Sequence, residues 1–227
     1  MKYKMIIFDA DETLFDFSKS EKYALKNAIT DHSIEYNESY HLALYKKINV
    51  AIWLEFERGE ITQKELKVER FRRFLKAAQY SVDASEFGDS FMSHLSQASF
   101  LFDGVETMIE MMYEKFRLVI VTNGLTRVQK HRIRQSVIAP YFERIIISEE
   151  IGYAKPNPMI FMKGLEGLEL PEKSEIVMIG DSLTSDIPGG IQYGIDTIWY
   201  NPKRKQNNSP SIPTFEIHSL EKLHDIL

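Results

Sequence analysis

Acidic side chains at the ends of two separate apolar runs could together hold a divalent cation. Asp9 and Asp11 close the first run of the chain, and Asp181 and Asp186 follow a much later one. Carboxylates that converge without a counter-charge repel each other and raise each other's pKa, and a hard cation relieves that repulsion. Because oxygen ligands without a nearby histidine or cysteine favour magnesium over zinc, these residues predict a Mg²⁺ site.

A threonine and a lysine add groups that suit chemistry at phosphorus. Thr122 ends another apolar run, and Lys155 would place a fixed positive charge opposite the acidic groups. A carboxylate can attack phosphorus to form an aspartyl-phosphate, and metal, lysine and backbone donors can stabilise the charge on the transferred group. A second carboxyl group near the nucleophile can protonate the leaving oxygen and later activate water. These residue types indicate hydrolysis of phosphate monoesters.

Short apolar runs that are rich in isoleucine and valine predict strands buried on both faces of a parallel sheet. They are Tyr3–Phe8, Leu118–Val121, Arg144–Ile147, Ile176–Ile179 and Thr197–Tyr200. Segments of helical length lie between the later runs, namely Val105–Lys115, Thr126–Gln135, Pro158–Leu168 and Pro188–Tyr193. The alternation predicts an α/β fold with a doubly wound, Rossmann-like, mainly parallel sheet. The candidate residues follow the strands, where such sheets bind their ligands.

The segment of residues 17–99 has no clear strand and is helical in pattern. Val68, Phe71 and Leu75 recur at helical spacing. The basic residues around them are interpreted as a solvated helix face; they are Lys64, Lys67, Arg70, Arg72 and Arg73. We therefore predict an all-helical domain of residues 17–99, inserted into an α/β core of residues 1–16 and 100–227.

The composition narrows the class of protein. Hydrophobic residues make up 44% of the chain and charged residues 27%, as in ordinary globular domains. A formal net charge of -5 argues against binding polymeric nucleic acid through its phosphates, and the lack of cysteine excludes disulfides and thiolate nucleophiles. No apolar stretch approaches the roughly 20 residues of a membrane-spanning helix. We expect a cytoplasmic protein without a membrane partner, either a monomer or a homodimer, that acts on a small phosphorylated metabolite.

Four short motifs, in this order along the chain, resemble those of the haloacid dehalogenase superfamily. They are Asp9-Ala10-Asp11-Glu12-Thr13, Thr122, Lys155-Pro156, and Gly180-Asp181-Ser182 with Asp186. The resemblance covers the whole chain, and the helical insertion is similar to the C1-type cap domain of that family. It implies a Mg²⁺-dependent phosphatase that works through an aspartyl-phosphate.

The resemblance assigns a role to each acidic residue of the motifs. Asp9 would be the nucleophile, with a carboxylate oxygen also on Mg²⁺, and Asp11 would be the acid and base, with its backbone carbonyl on the metal. Asp181 would bind Mg²⁺ directly, and Asp186 would act through water or by orienting another ligand. Asp11 also distinguishes a phosphatase from a true haloacid dehalogenase, which lacks an acid at that position because its halide leaves unprotonated.

The other motif residues are assigned to the substrate by the same resemblance. Thr122 and the Asn123 amide would hold phosphate oxygens, with Gly124 in the same substrate-binding turn. Lys155 would neutralise the charge on the phosphate. Thr13 would support the geometry of the first loop.

Longer stretches of sequence resemble bacterial pyrimidine 5′-nucleotidases that clear unwanted nucleotides. They are Asp9–Phe17, Trp53–Gly59 and Asp186–Asn201. The resemblance implies that the substrate is a nucleoside 5′-monophosphate, with sugar phosphates and other small phosphate esters as alternatives. Phe17, and Trp53 in the insertion, could stack on a base, although large aromatic residues more often pack helices together, the interpretation favoured for Trp53.

Two other functions stay open from the sequence. A phosphomutase of the β-phosphoglucomutase type would share the motifs and the style of insertion, and its product would be an isomeric phosphate. A catalytically silent domain that binds a metabolite or a partner would be expected to have degenerate motifs, and those of this chain are intact.

Overall fold

The computed structural model describes residues 2–58 and 60–227, apart from the side chains of residues 56, 57 and 63. Within the Trp53–Gly59 stretch, Gly59 and the side chains of Phe56 and Glu57 therefore lie outside the described residues. The chain divides into two compact units. The first consists of Met1–Phe17 and Ser99–Leu227, and the second of Ser18–Ala98.

In the first unit, the described residues form a six-stranded sheet in the order β3-β2-β1-β4-β5-β6. The strands are β1 (Met5–Phe8), β2 (Arg117–Thr122), β3 (Arg144–Ile147), β4 (Ile176–Gly180), β5 (Asp196–Tyr200) and β6 (Phe215–Ile217). Each described pair of neighbouring strands is parallel. The five predicted strands are confirmed to within two residues at each end. Strand β6 was not predicted from the sequence, since it is a three-residue edge strand of which only Ile217 is buried.

The helices were predicted in position more accurately than in length. They are α1 (Phe17–Asp31), α2 (Glu38–Glu57), α3 (Gln63–Ala77), α4 (Ala84–Gln97), α5 (Val105–Tyr113), α6 (Thr126–Arg134), α7 (Ser148–Ile151), α8 (Met159–Gly164) and α9 (Asp186–Tyr193). Helix α9 begins at Asp186, two residues before Pro188. A proline is tolerated in the first turn, because the N–H that it lacks would have no partner within the helix. None of the helices in residues 2–58 and 60–227 combines the length and the apolarity that a membrane crossing requires.

The core of the first unit lies on both faces of the sheet. Ile6 and Phe8 of β1 pack with Ile109 of α5 and Ile133 of α6. The alternate residues of β1 pack with helices α8 and α9 on the opposite face. A strand buried on both faces needs apolar side chains at every position, which explains the continuous runs in the sequence. The α/β fold and the doubly wound sheet are therefore confirmed, with a helical segment inserted after β1.

The second unit is helical and is held together by aromatic rings. Phe71 of α3 lies against Phe91 of α4, with ring centroids 5.1 Å apart. Arg70 is only 7% exposed, so the prediction that it belongs to a solvated face is wrong. Its guanidinium stacks on the rings of Phe71, at 4.6 Å, and Phe91, at 5.6 Å. A planar and weakly hydrated guanidinium can be buried against aromatic faces in this way.

Candidate active site

The candidate residues of the first unit converge because three of its strands are neighbours. Strand β1 pairs with both β2 and β4, and Phe8 lies opposite Ile120 and Ile179. The carboxyl ends of the three strands therefore meet at one edge of the sheet. Asp9 follows β1, Thr122 ends β2 and Asp181 follows β4. This edge is the part of an α/β sheet where ligands bind.

Three carboxylates form a compact acidic cluster at this edge. Asp9, Asp181 and Asp186 each offer an oxygen within 4.8 Å of the others. Asp186 is fixed by its own loop, since its Oδ2 accepts a hydrogen bond of 3.0 Å from the Ser182 N–H. A Cβ atom at Gly180 would lie 2.3 Å from that Oδ2. A glycine at position 180 therefore allows the Asp186 carboxylate to lie against the end of β4.

Lys155 supplies the positive charge of the cluster. Its Nζ lies 2.5 Å from Asp9 Oδ1 and 2.7 Å from Asp186 Oδ1, and it donates to the Val121 carbonyl at 2.6 Å. Burial alone would lower the pKa of Lys155, but the charges of Asp186 and Asp9 outweigh burial and raise it. The ammonium group therefore stays charged inside the protein.

One lysine does not balance three carboxylates. Burial raises the pKa of Asp9 well above its ordinary value, and the charges of Asp186 and Asp181 raise it further against the opposing effect of Lys155. Burial, followed by the charge of Asp186, raises the pKa of Asp181 to about 7. A cluster of oxygen donors that lacks positive charge fits a hard divalent cation such as Mg²⁺. Asp9, Asp181 and Asp186 are the residues that would hold it.

The Asn123 side chain fixes the backbone of Lys155. Its Oδ1 accepts from the Lys155 N–H, and its Nδ2 donates to the Lys155 carbonyl, both at 2.8 Å. Two hydrogen bonds from one amide orient the backbone of Lys155 more strictly than one bond would. Asn123 thus links the end of β2 to the loop that carries the lysine, a role that the sequence analysis did not assign to it.

Asp11 lies beside the cluster and is bound by two residues of α6. Its Oδ2 accepts a hydrogen bond of 2.7 Å from Gln129 Nε2, and its Oδ1 accepts one from Arg132 Nη2. Neither partner was predicted from the sequence. The available signal was their spacing, since Gln129 and Arg132 share the inward face of α6 with Val128 and Ile133. A polar residue at an inward position of an amphipathic helix calls for an explanation.

The other predicted substrate residues differ in their surroundings. The Oγ1 of buried Thr122 accepts a hydrogen bond of 2.9 Å from Gln129 Nε2. Thr13 is fully buried, and its Oγ1 has no hydrogen-bond partner in the described part of the chain. The Gly124 N–H donates to Ser148 Oγ at 3.1 Å.

The two aromatic candidates lie in different units. The Phe17 ring, in the first unit, lies 5.6 Å from the Arg132 guanidinium. Trp53 belongs to α2 in the second unit and is 42% exposed. A role for either ring in binding a base, or for Trp53 in packing, stays a prediction.

Known proteins are similar to this chain in sequence. A family model described as haloacid dehalogenase-like hydrolase matches residues 3–194. The chain is 34% identical to the pyrimidine 5′-nucleotidase PynA of Streptococcus pneumoniae, over 100% of this chain and 96% of the relative. It is 31% identical to the pyrimidine 5′-nucleotidase YjjG of Escherichia coli, over 100% and 99% of the two chains.

A solved structure resembles the whole chain. The crystal structure of YfnB from Bacillus subtilis, bound to magnesium, superposes with a TM-score of 0.93 at 36% identity. The match covers 100% of this chain and 99% of the other.

Proposed function

The chain belongs to the haloacid dehalogenase-like hydrolase family, as one of its phosphatases, and we propose that it is a Mg²⁺-dependent 5′-nucleotidase that hydrolyses nucleoside 5′-monophosphates. The observation that carries the chemistry is the cluster of Asp9, Asp181 and Asp186, of which Asp9 and Asp186 are buried, with Lys155 against it. The observation that carries the choice of substrate is the full-length similarity to two pyrimidine 5′-nucleotidases.

The metal site supports this proposal through its chemistry. Asp9, Asp181 and Asp186 would hold Mg²⁺, and the backbone carbonyl of Asp11 is a further candidate ligand. When bound, the ion would neutralise the acidic cluster and the phosphate oxygens. The related YfnB structure, in which magnesium is bound, supports the same choice of ion.

The first half of the reaction is transfer of the phosphoryl group to Asp9. A carboxylate oxygen of Asp9 forms a bond with phosphorus while the bond to the ester oxygen of the nucleotide breaks. Asp11 gives its carboxyl proton to that leaving oxygen, which departs as the hydroxyl group of the nucleoside. Lys155 and the Thr122 hydroxyl would hold phosphate oxygens, because both reach the same edge of the sheet as Asp9.

The second half restores the enzyme. A water molecule gives a proton to Asp11 and attacks phosphorus, and the bond between Asp9 and phosphorus breaks. Inorganic phosphate leaves, so Asp9 is again a carboxylate and Asp11 again carries a proton. One residue can serve as acid and then as base, because the proton that it gives up in the first step is replaced by one from water in the second.

The helical unit of Ser18–Ala98 is proposed as the cap domain of this phosphatase. Phe17 and Trp53 stay candidates for contact with the base, and Asn123, Gly124 and Thr13 for support of the phosphate site. Cytoplasmic location and a monomeric or homodimeric state likewise stay predictions.

A panel of phosphate monoesters tests the function directly. Purified protein would be assayed for phosphate release from nucleoside 5′-monophosphates and sugar phosphates, with Mg²⁺ and with EDTA in its place. We expect the highest kcat/KM with pyrimidine 5′-monophosphates and no release in EDTA. Faster hydrolysis of sugar phosphates would reject the nucleotide assignment. An isomeric phosphate without free phosphate would identify a mutase, and no turnover across the panel would reject an enzymatic role.

A further inference from the structure

Gln129 and Arg132 form a closed hydrogen-bonded ring with Asp11. Gln129 Nε2 donates to Asp11 Oδ2 at 2.7 Å, and Arg132 Nη2 donates to Asp11 Oδ1. The same Arg132 nitrogen donates to Gln129 Oε1 at 2.7 Å. Each of the three side chains is therefore held by the other two, and both carboxylate oxygens of Asp11 are engaged.

Gln129 also connects this ring to the phosphate site. The two hydrogens of its amide nitrogen go to two acceptors, because Nε2 lies 2.7 Å from Asp11 Oδ2 and 2.9 Å from Thr122 Oγ1. A threonine hydroxyl has a single hydrogen of its own. Since Gln129 already donates to the Thr122 oxygen, that hydrogen is free to point at another acceptor, such as a phosphate oxygen.

Gln129 and Arg132 are both buried, and burial of a polar side chain costs free energy unless all its polar groups are paired. Gln129 is 2% exposed and Arg132 fully buried. The Nε and Nη1 atoms of Arg132 have no hydrogen-bond partner among residues 2–58 and 60–227. A buried arginine that leaves donors unpaired costs free energy that a methionine of similar length would not. Stability alone therefore gives a poor account of an arginine at this position.

The surrounding residues are arranged to hold these two side chains. The Arg132 guanidinium lies 5.2 Å from the ring of Phe15, in the loop that follows Asp11, and 5.6 Å from the ring of Phe17, the first residue of α1. A Cβ atom at Gly124 would lie 2.6 Å from Gln129 Cγ, so a glycine leaves room for the glutamine. Both side chains thus have close neighbours besides Asp11.

We propose that Gln129 and Arg132 are positioning residues that hold the Asp11 carboxyl group and the Thr122 hydroxyl in one fixed arrangement for phosphoryl transfer. The role rests on the proposed phosphatase function and deepens it. As the bond between phosphorus and the ester oxygen breaks, the Asp11 proton must reach that oxygen, and the phosphate must stay bound at Thr122. A single amide that donates to both residues fixes the distance between the proton donor and the phosphate.

The dependence of rate on the leaving group separates this role from a packing role. A p-nitrophenolate leaves without a proton, whereas the alkoxide of a nucleoside needs one. kcat/KM reports the steps up to departure of the leaving group. A residue that positions the proton donor should therefore affect nucleotide hydrolysis far more than hydrolysis of p-nitrophenyl phosphate.

The variants are Gln129→Glu, which keeps the shape but removes the donor to both Asp11 and Thr122, and Arg132→Met, which keeps the length but removes the charge. We expect kcat/KM for the nucleoside monophosphate to fall about 100-fold, within the range that general acid catalysis contributes. For p-nitrophenyl phosphate the acid is not needed, so we expect a fall of only about threefold, from the weaker hold on Thr122. Arg132→Lys should restore part of the nucleotide activity. Arg134→Met, at an exposed position of the same helix, is the matched control and should leave both rates unchanged.

Thermal melting shows whether each variant is folded. If Arg132→Met does not fold, Gln129→Glu and Arg132→Lys still decide the question. An equal loss for the two substrates, or no loss for either, overturns the positioning role. If the wild-type protein hydrolyses neither substrate, the phosphatase function on which the role rests is instead rejected.

Discussion

Lys155 and Asp186 form a buried ion pair in which Nζ lies 2.7 Å from Oδ1, and each side chain is only 1% exposed. The same ammonium group also pairs with Asp9. Two carboxylates thus share one positive charge, and Asp181 remains as a third in the same cluster. The protein alone leaves this site with an excess of negative charge, so its stability should respond to both pH and magnesium.

The pH response of the metal-free protein follows from Asp181. Its pKa is about 7 in the folded protein, against an ordinary 3.8. The unfolded chain therefore releases this proton at lower pH than the folded protein does. The contribution of Asp181 to stability is full below about pH 4 and is lost as the pH rises through about 7. Bound Mg²⁺ should restore stability in the upper part of this range.

Melting temperatures with and without Mg²⁺ test this response. We expect a larger Mg²⁺-induced increase at about pH 8 than at about pH 5.5, because at the lower pH the ion must displace a proton. Asp181→Asn should reduce the difference between the two pH values, and Asp9, whose pKa is also raised, should account for the part that remains. An equal increase at both pH values in the wild-type protein would contradict the assignment of Asp181 to the metal site.

Replacement of Asp9 by asparagine separates activity from stability. Asp9→Asn keeps the shape of the side chain but removes the proposed nucleophile, so phosphate release should fall at least about a thousandfold. Because burial and neighbouring carboxylates disfavour the charge of Asp9 in the folded state, the metal-free variant should melt no lower than the wild-type protein at about pH 8.

Phosphate release and thermal melting are the two measurements for this variant. Asp225→Asn, at an exposed position, is the control and should change neither. Activity that survives in Asp9→Asn would show that another group attacks phosphorus.

Asn123 gives a third prediction, because it binds both backbone groups of Lys155. Asn123→Ala leaves a donor and an acceptor without these partners and should cost about 1–3 kcal/mol in the free energy of unfolding. It should also raise KM for the phosphate ester, since the lysine is no longer held beside Asp9. Urea unfolding and steady-state kinetics measure the two effects. Asn27→Ala, which removes one exposed hydrogen bond in α1, should affect KM little, and an unchanged KM in Asn123→Ala would rule out the orienting role.

The sheet could be predicted from the sequence because burial on both faces leaves continuous apolar runs, as at Met5–Phe8. The same logic placed Asp9, Thr122 and Asp181 at one edge, since residues that follow parallel strands share that edge. The motif resemblance added Lys155, whose contact with Asp9 joins residues 146 positions apart.

Side-chain partnerships between distant segments could not be predicted in this way. Gln129 and Arg132 lie in a helix rich in polar residues. The sequence around them does not indicate that they bind Asp11, which is more than 100 positions away. Arg70 was misassigned for a related reason, since a charge is expected on the surface unless the aromatic rings that cover it are known. The short strand β6 was not predicted because it has too few buried positions to produce an apolar pattern in the sequence.

Gly180 yields the last prediction, because the chain leaves no space for a Cβ atom there. In Gly180→Ala the new methyl group would lie 2.3 Å from Asp186 Oδ2 and 2.4 Å from Asp186 Cγ. Asp186 would have to move away from the Ser182 N–H and from Lys155. Loss of such orienting contacts should raise the Mg²⁺ concentration for half-maximal activity about 10- to 100-fold.

Titration of phosphate release against Mg²⁺ measures this shift. Gly189→Ala in α9 is the matched control, because its Cβ would approach the Phe161 ring no closer than 3.3 Å. That contact requires a movement of only a few tenths of an ångström, and an alanine favours the helix. The control should therefore keep the wild-type Mg²⁺ dependence. An unchanged Mg²⁺ dependence in Gly180→Ala as well would mean that the position of Asp186 does not govern metal binding.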